Sequence, residues 1–174
     1  MFERIFDFLV AFLSDLLPVT VVQHYNRGVR QRFGKKHGGV LEPGLHWKIP
    51  FVDQILEEMV KPKTMNLSAQ TITTKDWKTI VVQSVIKYEI KDPITTLMEV
   101  NDPVDAVSDM TKGIIRNAII ERRWEDCNNT ELSKEIRNKA RNEAEKWGIK
   151  IIDVTLTDLA EIASYRIIGG EKFL

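Results

Sequence analysis

The stretch TIVVQSVIKYEI, residues 79–90, sets Ile80, Val82, Ser84, Ile86, Tyr88 and Ile90 on one side of an extended chain. The other side mixes Val81 and Val85 with Gln83, Lys87 and Glu89. A period of two over this length demands a strand in a sheet with one face in a core and the other partly wet. The texture then changes. Asp92-Pro93 marks the change to helix, and Asp102-Pro103 reads as an N-cap followed by a first-turn proline. Val104, Val107, Met110, Ile114, Ala118 and Ile119 recur at helical spacing. A second helix is expected from Thr130, with Leu132, Ile136, Ala140, Ala144 and Trp147 as a narrow apolar stripe and Gly148 as its stop. IKIIDVTLTDL returns as a strand, with Ile152, Val154 and Leu156 expected on one side.

Upstream, VTVVQHY and GVRQRF read as two short strands joined around Asn26-Arg27-Gly28. Gly34, Gly38 and Gly39 suggest a loop with Lys35, Lys36 and His37 at its tip. Pro43-Gly44 marks a turn before LHWKIPF, and residues 54–72 supply one or two further strands. A β-rich first part, two helices and a returning strand make the chain α+β.

No catalytic signature accompanies these elements. There is no Gly-x-Ser-x-Gly elbow, no phosphate-binding loop and no dinucleotide fingerprint. GKKHGG has glycine and lysine in the wrong order and no helix signal after it. His24, His37 and His46 fall in one β-rich region but lack ligand spacing, so surface or interface roles are expected and no metal or other cofactor is called for. Cys127, the single cysteine, has Arg122 and Arg123 offset by Glu125 and Asp126, and excludes an internal disulfide. The expectation is a protein that is not an enzyme.

Basic and acidic residues balance at 25 each, so recognition by charge must be local. Residues 19–50 carry Arg27, Arg30, Arg32, Lys35, Lys36 and Lys48 against Glu42 alone. No nucleic-acid-binding motif goes with this excess, so nucleic acid is not an expected partner. Anionic lipid headgroups attract such side chains by about 1 kcal/mol each. Trp47 and Phe51 suit the interfacial zone of a bilayer and a core equally; in the alternative reading Leu45, Ile49 and Val52 are core and the basic loop is merely solvated. The balanced charges of Glu121 to Lys146 suit a solvated helix face or interlocking contacts between identical neighbours.

MFERIFDFLVAFLSDLLP places Phe2, Ile5, Phe6, Leu9, Phe12, Leu13, Leu16 and Leu17 at helical spacing. It is short and interrupted by charge for a bilayer span, and lacks a signal peptide's basic start and cleavage site. An amphipathic helix lying in one leaflet is the expectation. Packing on the protein's own core is the alternative.

NRGVRQRFGK followed by GVLEPGLHWKIPFVD resembles the opening of the SPFH, or Band 7, domain of stomatins, prohibitins and flotillins. TITTKDWKTIVVQSVIKYEIKDP, IIRNAI and WGIKIIDVTLTDL follow in the same order as in that family. The resemblance implies a helical anchor over 1–18, a β-rich membrane-proximal subdomain over 19–75, an α+β second subdomain over 76–160 and a short tail over 161–174. It also implies a non-enzymatic scaffold, peripheral or monotopic on the cytoplasmic face of a membrane, with lipids, copies of itself in a ring or cage, and membrane proteins such as proteases as partners. A small adaptor that docks on a partner through its N-terminal helix is the rival expectation. Two departures stand out. Trp77 occupies a turn where the family has glycine or another small residue. After DLAEIASYRIIGGEKFL there is no long alanine- and glutamate-rich helix, so a short member lacking that helix is expected.

Overall fold

The computed structural model describes residues 17–162. Eight strands and four helices run β1 (Val19–Val22), β2 (Asn26–Arg32), β3 (Lys35–Leu41), β4 (Gly44–Trp47), β5 (Asp53–Met59), β6 (Lys63–Thr73), β7 (Thr79–Ile90), α1 (Pro93–Glu99), α2 (Pro103–Ile120), α3 (Trp124–Cys127), α4 (Thr130–Glu145) and β8 (Ile149–Glu161). The architecture is α+β.

Two small sheets form the first part. β1 and β4 make an antiparallel ribbon, and β2 lies between β3 and β5 in a three-stranded sheet. Alternation along β2 sets Val29 on one face, where it is fully buried, and Gly28, Arg30 and Arg32 on the other. The ribbon covers that second face. Val22 of β1 sits beside Gly28, and Arg30 reaches the backbone of β4. Helix α1 packs on this sheet, where Gln31 of β2 meets Met98.

The turn expected at Asn26-Arg27-Gly28 is instead one strand, paired along its length with β5. The reversal falls earlier, where Asn26 N donates to the Gln23 carbonyl at 2.9 Å. Gly28 serves close packing: a Cβ there would lie 3.1–3.2 Å from Ile55, Leu41 and Val22. The loop expected around Lys35–His37 is also strand. Its turn is the two-residue Phe33-Gly34 connection, with φ of 49° and 73°, the left-handed pair that a tight hairpin requires.

β6, β7 and β8 form the second, three-stranded sheet, with β7 central. β6 falls within the segment expected for the first subdomain, yet it pairs along nearly its whole length with β7, so the hydrogen-bonding division lies between β5 and β6. The face of β7 from Ile80 to Ile90 is buried at all six alternate positions, Ser84 included. Helices α2 and α4 close it with Val107, Ile115, Ala118 and Ile119 and with Leu132, Ile136, Ala140 and Ala144. On α2 the buried track runs through Thr111 and Ile115, while Val104 is exposed and Met110 and Ile114 are only partly covered. On β8, extra residues at Ile152 and Thr157 each shift the register by one. Each bulge reverses the parity, so Ile149, Ile151 and Val154 are buried and Ile152 is half-buried.

The cap expected at Asp102 forms, and Asp92 caps a further short helix, α1, that the two-helix reading does not include. Asp92 accepts from Ile94 N and Thr95 N, and Asp102 from Val104 N and Asp105 N. Gly148, at φ +72°, ends the turn after α4 where a Cβ would stand 2.6 Å from the Asp92 carbonyl.

Candidate membrane-docking site

The outer face of the β1–β4 ribbon is apolar and open. Its cross-strand pairs Val21–Leu45 and Val19–Trp47 put Val21, Leu45 and Trp47 in solvent, with Trp47 70% exposed. Leu45 and Ile49, core residues in the alternative reading of the sequence, are exposed. The chain beyond Trp47 turns over at Pro50–Val52 and presents Phe51, 80% exposed at φ 64°. Phe33 stands beside it: its N–H donates to the Val52 carbonyl at 3.1 Å, and its ring is 78% exposed. Two turn tips and a ribbon face thus converge on one end of the first part. Exposed Leu17 and Pro18 are there too, because the Pro18 carbonyl accepts from Lys48 N at 2.8 Å.

Both phenylalanines hold a left-handed backbone that costs an L-residue roughly 1–2 kcal/mol. Neither ring gains burial in return. Contiguous apolar surface of this kind marks a contact with a membrane or another macromolecule.

The basic residues divide. Arg32 is locked to Asp53, whose side chain is 1% exposed, with Nε to Oδ1 at 2.7 Å and Nη2 to Oδ2 at 3.0 Å. The Arg32 guanidinium holds the Asp53 carboxyl well below the usual carboxylate range, and a bond from Ile49 N adds to this. Arg27 pairs with Glu42 at 3.0 Å, toward the far end of β2 from Phe33. Lys35 and Lys36 are exposed just after the Phe33-Gly34 turn. Arg30 lies between the layers and donates from Nη2 to the Trp47 carbonyl at 2.7 Å. Lys48 follows Trp47. The sequence-expected set therefore supplies Arg30 and Lys35 to the apolar end, while Lys36 shares the helix-covered face with Gln31, toward Asp92, and Arg27 and Arg32 have acidic partners.

Phe2, Ile5, Phe6, Leu9, Phe12, Leu13 and Leu16 lie outside the described residues. Phe33 is not among the residues the sequence singles out, where GVRQRF reads only as a short strand. Its signal was Gly34, which completes a tight turn and so forces Phe33 to the tip.

The other candidates stay apart. His46 Nε2 is 2.6 Å from the Glu42 carbonyl, His24 stacks edge-on with Tyr25 and His37 is exposed on β3. Among the described residues no group of three or more His, Cys, Asp or Glu is placed to hold a metal. Cys127 is buried, and burial pushes its thiol up. Trp77, 89% exposed at φ 63°, tips the β6–β7 hairpin. The turn keeps the backbone glycine would favour, braced by Thr74, whose hydroxyl bonds Asp76 at 2.6 Å and whose N–H bonds the Lys78 carbonyl at 2.9 Å. Among the described residues no helix is long and apolar enough to cross a membrane.

The model of the SPFH domain / Band 7 family matches residues 20–166. The chain belongs to that family. Similar curated proteins include Stomatin-1 of Caenorhabditis elegans, 26% identical over 87% of this chain and 47% of that protein. Protein HflK of Haemophilus influenzae is 30% identical over 76% of this chain and 33% of its own length. A putative band 7 family protein of Acanthamoeba polyphaga mimivirus is 24% identical over 82% of this chain and 47% of its own. The chain thus spans half or less of these three SPFH relatives.

Proposed function

We propose that this SPFH protein is a non-enzymatic scaffold that docks on the cytoplasmic face of a bilayer and assembles laterally with copies of itself, organising lipids or membrane-protein partners such as proteases. The first part of the domain meets the membrane through the ribbon face and the Phe33 and Phe51 tips. Residues 2–17 continue from Pro18 at the same end as an amphipathic anchor. One observation supports the reading: the exposed aromatic tips, the open ribbon face and exposed Leu17 and Pro18 share one end of the domain. Trp47 and Phe51 there suit the headgroup zone, and Arg30 and Lys35 suit its phosphates.

Co-flotation of the purified full chain with protein-free vesicles tests the docking. The protein should float with the vesicles, and deletion of residues 2–17 should weaken that association. Protein that stays at the bottom of the gradient without a partner present would remove the reading. Mass photometry after gentle detergent extraction reads the assembly, where a discrete many-subunit ring is expected and a uniform monomer would count against lateral packing.

A further inference from the structure

The ribbon and the three-stranded sheet do not close completely over Arg30. A cleft of about 340 Å³ opens between them, lined by Pro18, Arg30, Arg32, Trp47, Lys48 and Asp53 among others. That volume is at the small end of ligand sites, enough for one polar headgroup.

The charges in the cleft are unequal. Asp53 is the one carboxylate in the lining, and it is already satisfied by both nitrogens of the Arg32 fork and by Ile49 N. Arg30 and Lys48 then make no ion pair among the described residues, although the Arg30 charge helps to hold Asp53 ionised. Arg30 spends Nη2 on the Trp47 carbonyl, which fixes the guanidinium plane. Its Nε is buried and has no hydrogen-bond partner among the described residues. A buried, charged donor left unpaired is costly and calls for an acceptor. Guanidinium nitrogens match phosphate oxygens in geometry, and a lysine amine adds a compact charge.

We propose that this cleft binds the phosphomonoester headgroup of an anionic phospholipid of the phosphatidic acid class, with Arg30 and Lys48 as its cationic ligands. The inference rests on the membrane-docking reading. Position argues for a lipid as the source: the cleft is walled by Trp47 and Pro18, and the exposed Phe51 tip adjoins it. Rings inserted below the headgroups would bring Arg30 and Lys48 to the phosphate level. Two cations match a phosphomonoester, whose charge near neutral pH is about −1.5 to −2.

The test measures vesicle affinity of the full chain on phosphatidylcholine alone, on phosphatidylcholine with phosphatidic acid, and on phosphatidylcholine with phosphatidylserine at matched net charge. Wild type is compared with Arg30→Gln and Lys48→Gln. Each substitution should lower affinity for the phosphatidic acid vesicles roughly fivefold, and Lys48→Gln should leave phosphatidylcholine binding unchanged. The Lys48 ammonium makes no hydrogen bond within the described residues, so Lys48→Gln carries the test even where Arg30→Gln disturbs β4. Equal losses on phosphatidylserine would reduce the cleft to general surface charge and overturn the site. So would unchanged affinity on every vesicle, or an equal loss on phosphatidylcholine. Binding of soluble glycerol 3-phosphate as tight as binding to the lipid would overturn the lipid source. Failure of wild type to bind any vesicle would instead sink the docking reading itself, which separates the two failures.

Discussion

Phe33→Asn with Phe51→Asn should make the protein more stable and less able to hold a membrane. Both residues sit at positive φ, 49° and 64°. Asparagine tolerates that region, so each exchange returns about 1 kcal/mol of backbone strain. Since about 1 kcal/mol moves the midpoint by roughly 2–4 °C in a chain of this size, the double variant should melt roughly 4–8 °C higher. No core contact is lost, because the rings are 78% and 80% exposed. The membrane ledger runs the other way. A phenylalanine presents about 200 Å², and moving roughly 80 Å² of it out of water at about 25 cal/mol/Å² stabilises the bound state by about 2 kcal/mol. Each ring removed should therefore weaken vesicle binding by roughly 30-fold. Differential scanning fluorimetry and vesicle co-sedimentation on the full chain read the two effects. Trp77→Asn is the control, since Trp77 shares the backbone strain and the exposure but tips the other hairpin. It should gain stability and keep its affinity. Equal binding losses in Trp77→Asn and the double variant, or none in the double variant, would refute the reasoning.

Two further outcomes follow from the packing and the charges. Gly148→Ala should destabilise by about 3 kcal/mol, because it adds a Cβ 2.6 Å from a backbone carbonyl at a left-handed position; an unchanged melting temperature would show that the β7–α1 and α4–β8 connections are not held as tightly as described. For Asp53, the folded carboxyl titrates below its unfolded value of about 3.9, so its pairing with Arg32 stabilises fully above that pH and is lost as pH falls through the folded value. Asp53→Asn should lower the melting temperature near neutral pH and flatten its decline below about pH 4; parallel melting curves against pH for the two proteins would contradict the pairing.

The second part of the fold was legible because its signals are local and repeated. β7 shows its core face at every second residue, and Asp102-Pro103 marks a helix start in adjacent residues. β8 was misread on one side because each bulge adds a residue and reverses the alternation, and nothing in IKIIDVTLTDL announces an extra residue. The first part was harder. Gly28 looks like a turn glycine and is a packing glycine, a difference set by Ile55, Leu41 and Val22 from distant sequence. Of the site, Trp47, Phe51 and Arg30 were legible as types. Phe33 was not, because an aromatic at a position suited to asparagine or glycine breaks the local rule by which such turns are found. Nor does the sequence show that Arg32 is consumed by Asp53 while Arg30 is left with a bare nitrogen.

Which end of the domain meets the bilayer is open to direct measurement. Cys127 is buried, so a cysteine introduced at Phe51 or at Trp77 can carry a nitroxide selectively. β6 alone spans eleven residues, or about 35 Å of strand, and leads from the first part to the Trp77 turn. Paramagnetic accessibility of the two labels on vesicle-bound full chain gives their depths. The Phe51→Cys label should be shielded from a water-soluble relaxant and open to oxygen, and the Trp77→Cys label should remain in water. A Phe51→Cys label as water-accessible as the one at Trp77 would contradict docking through this end.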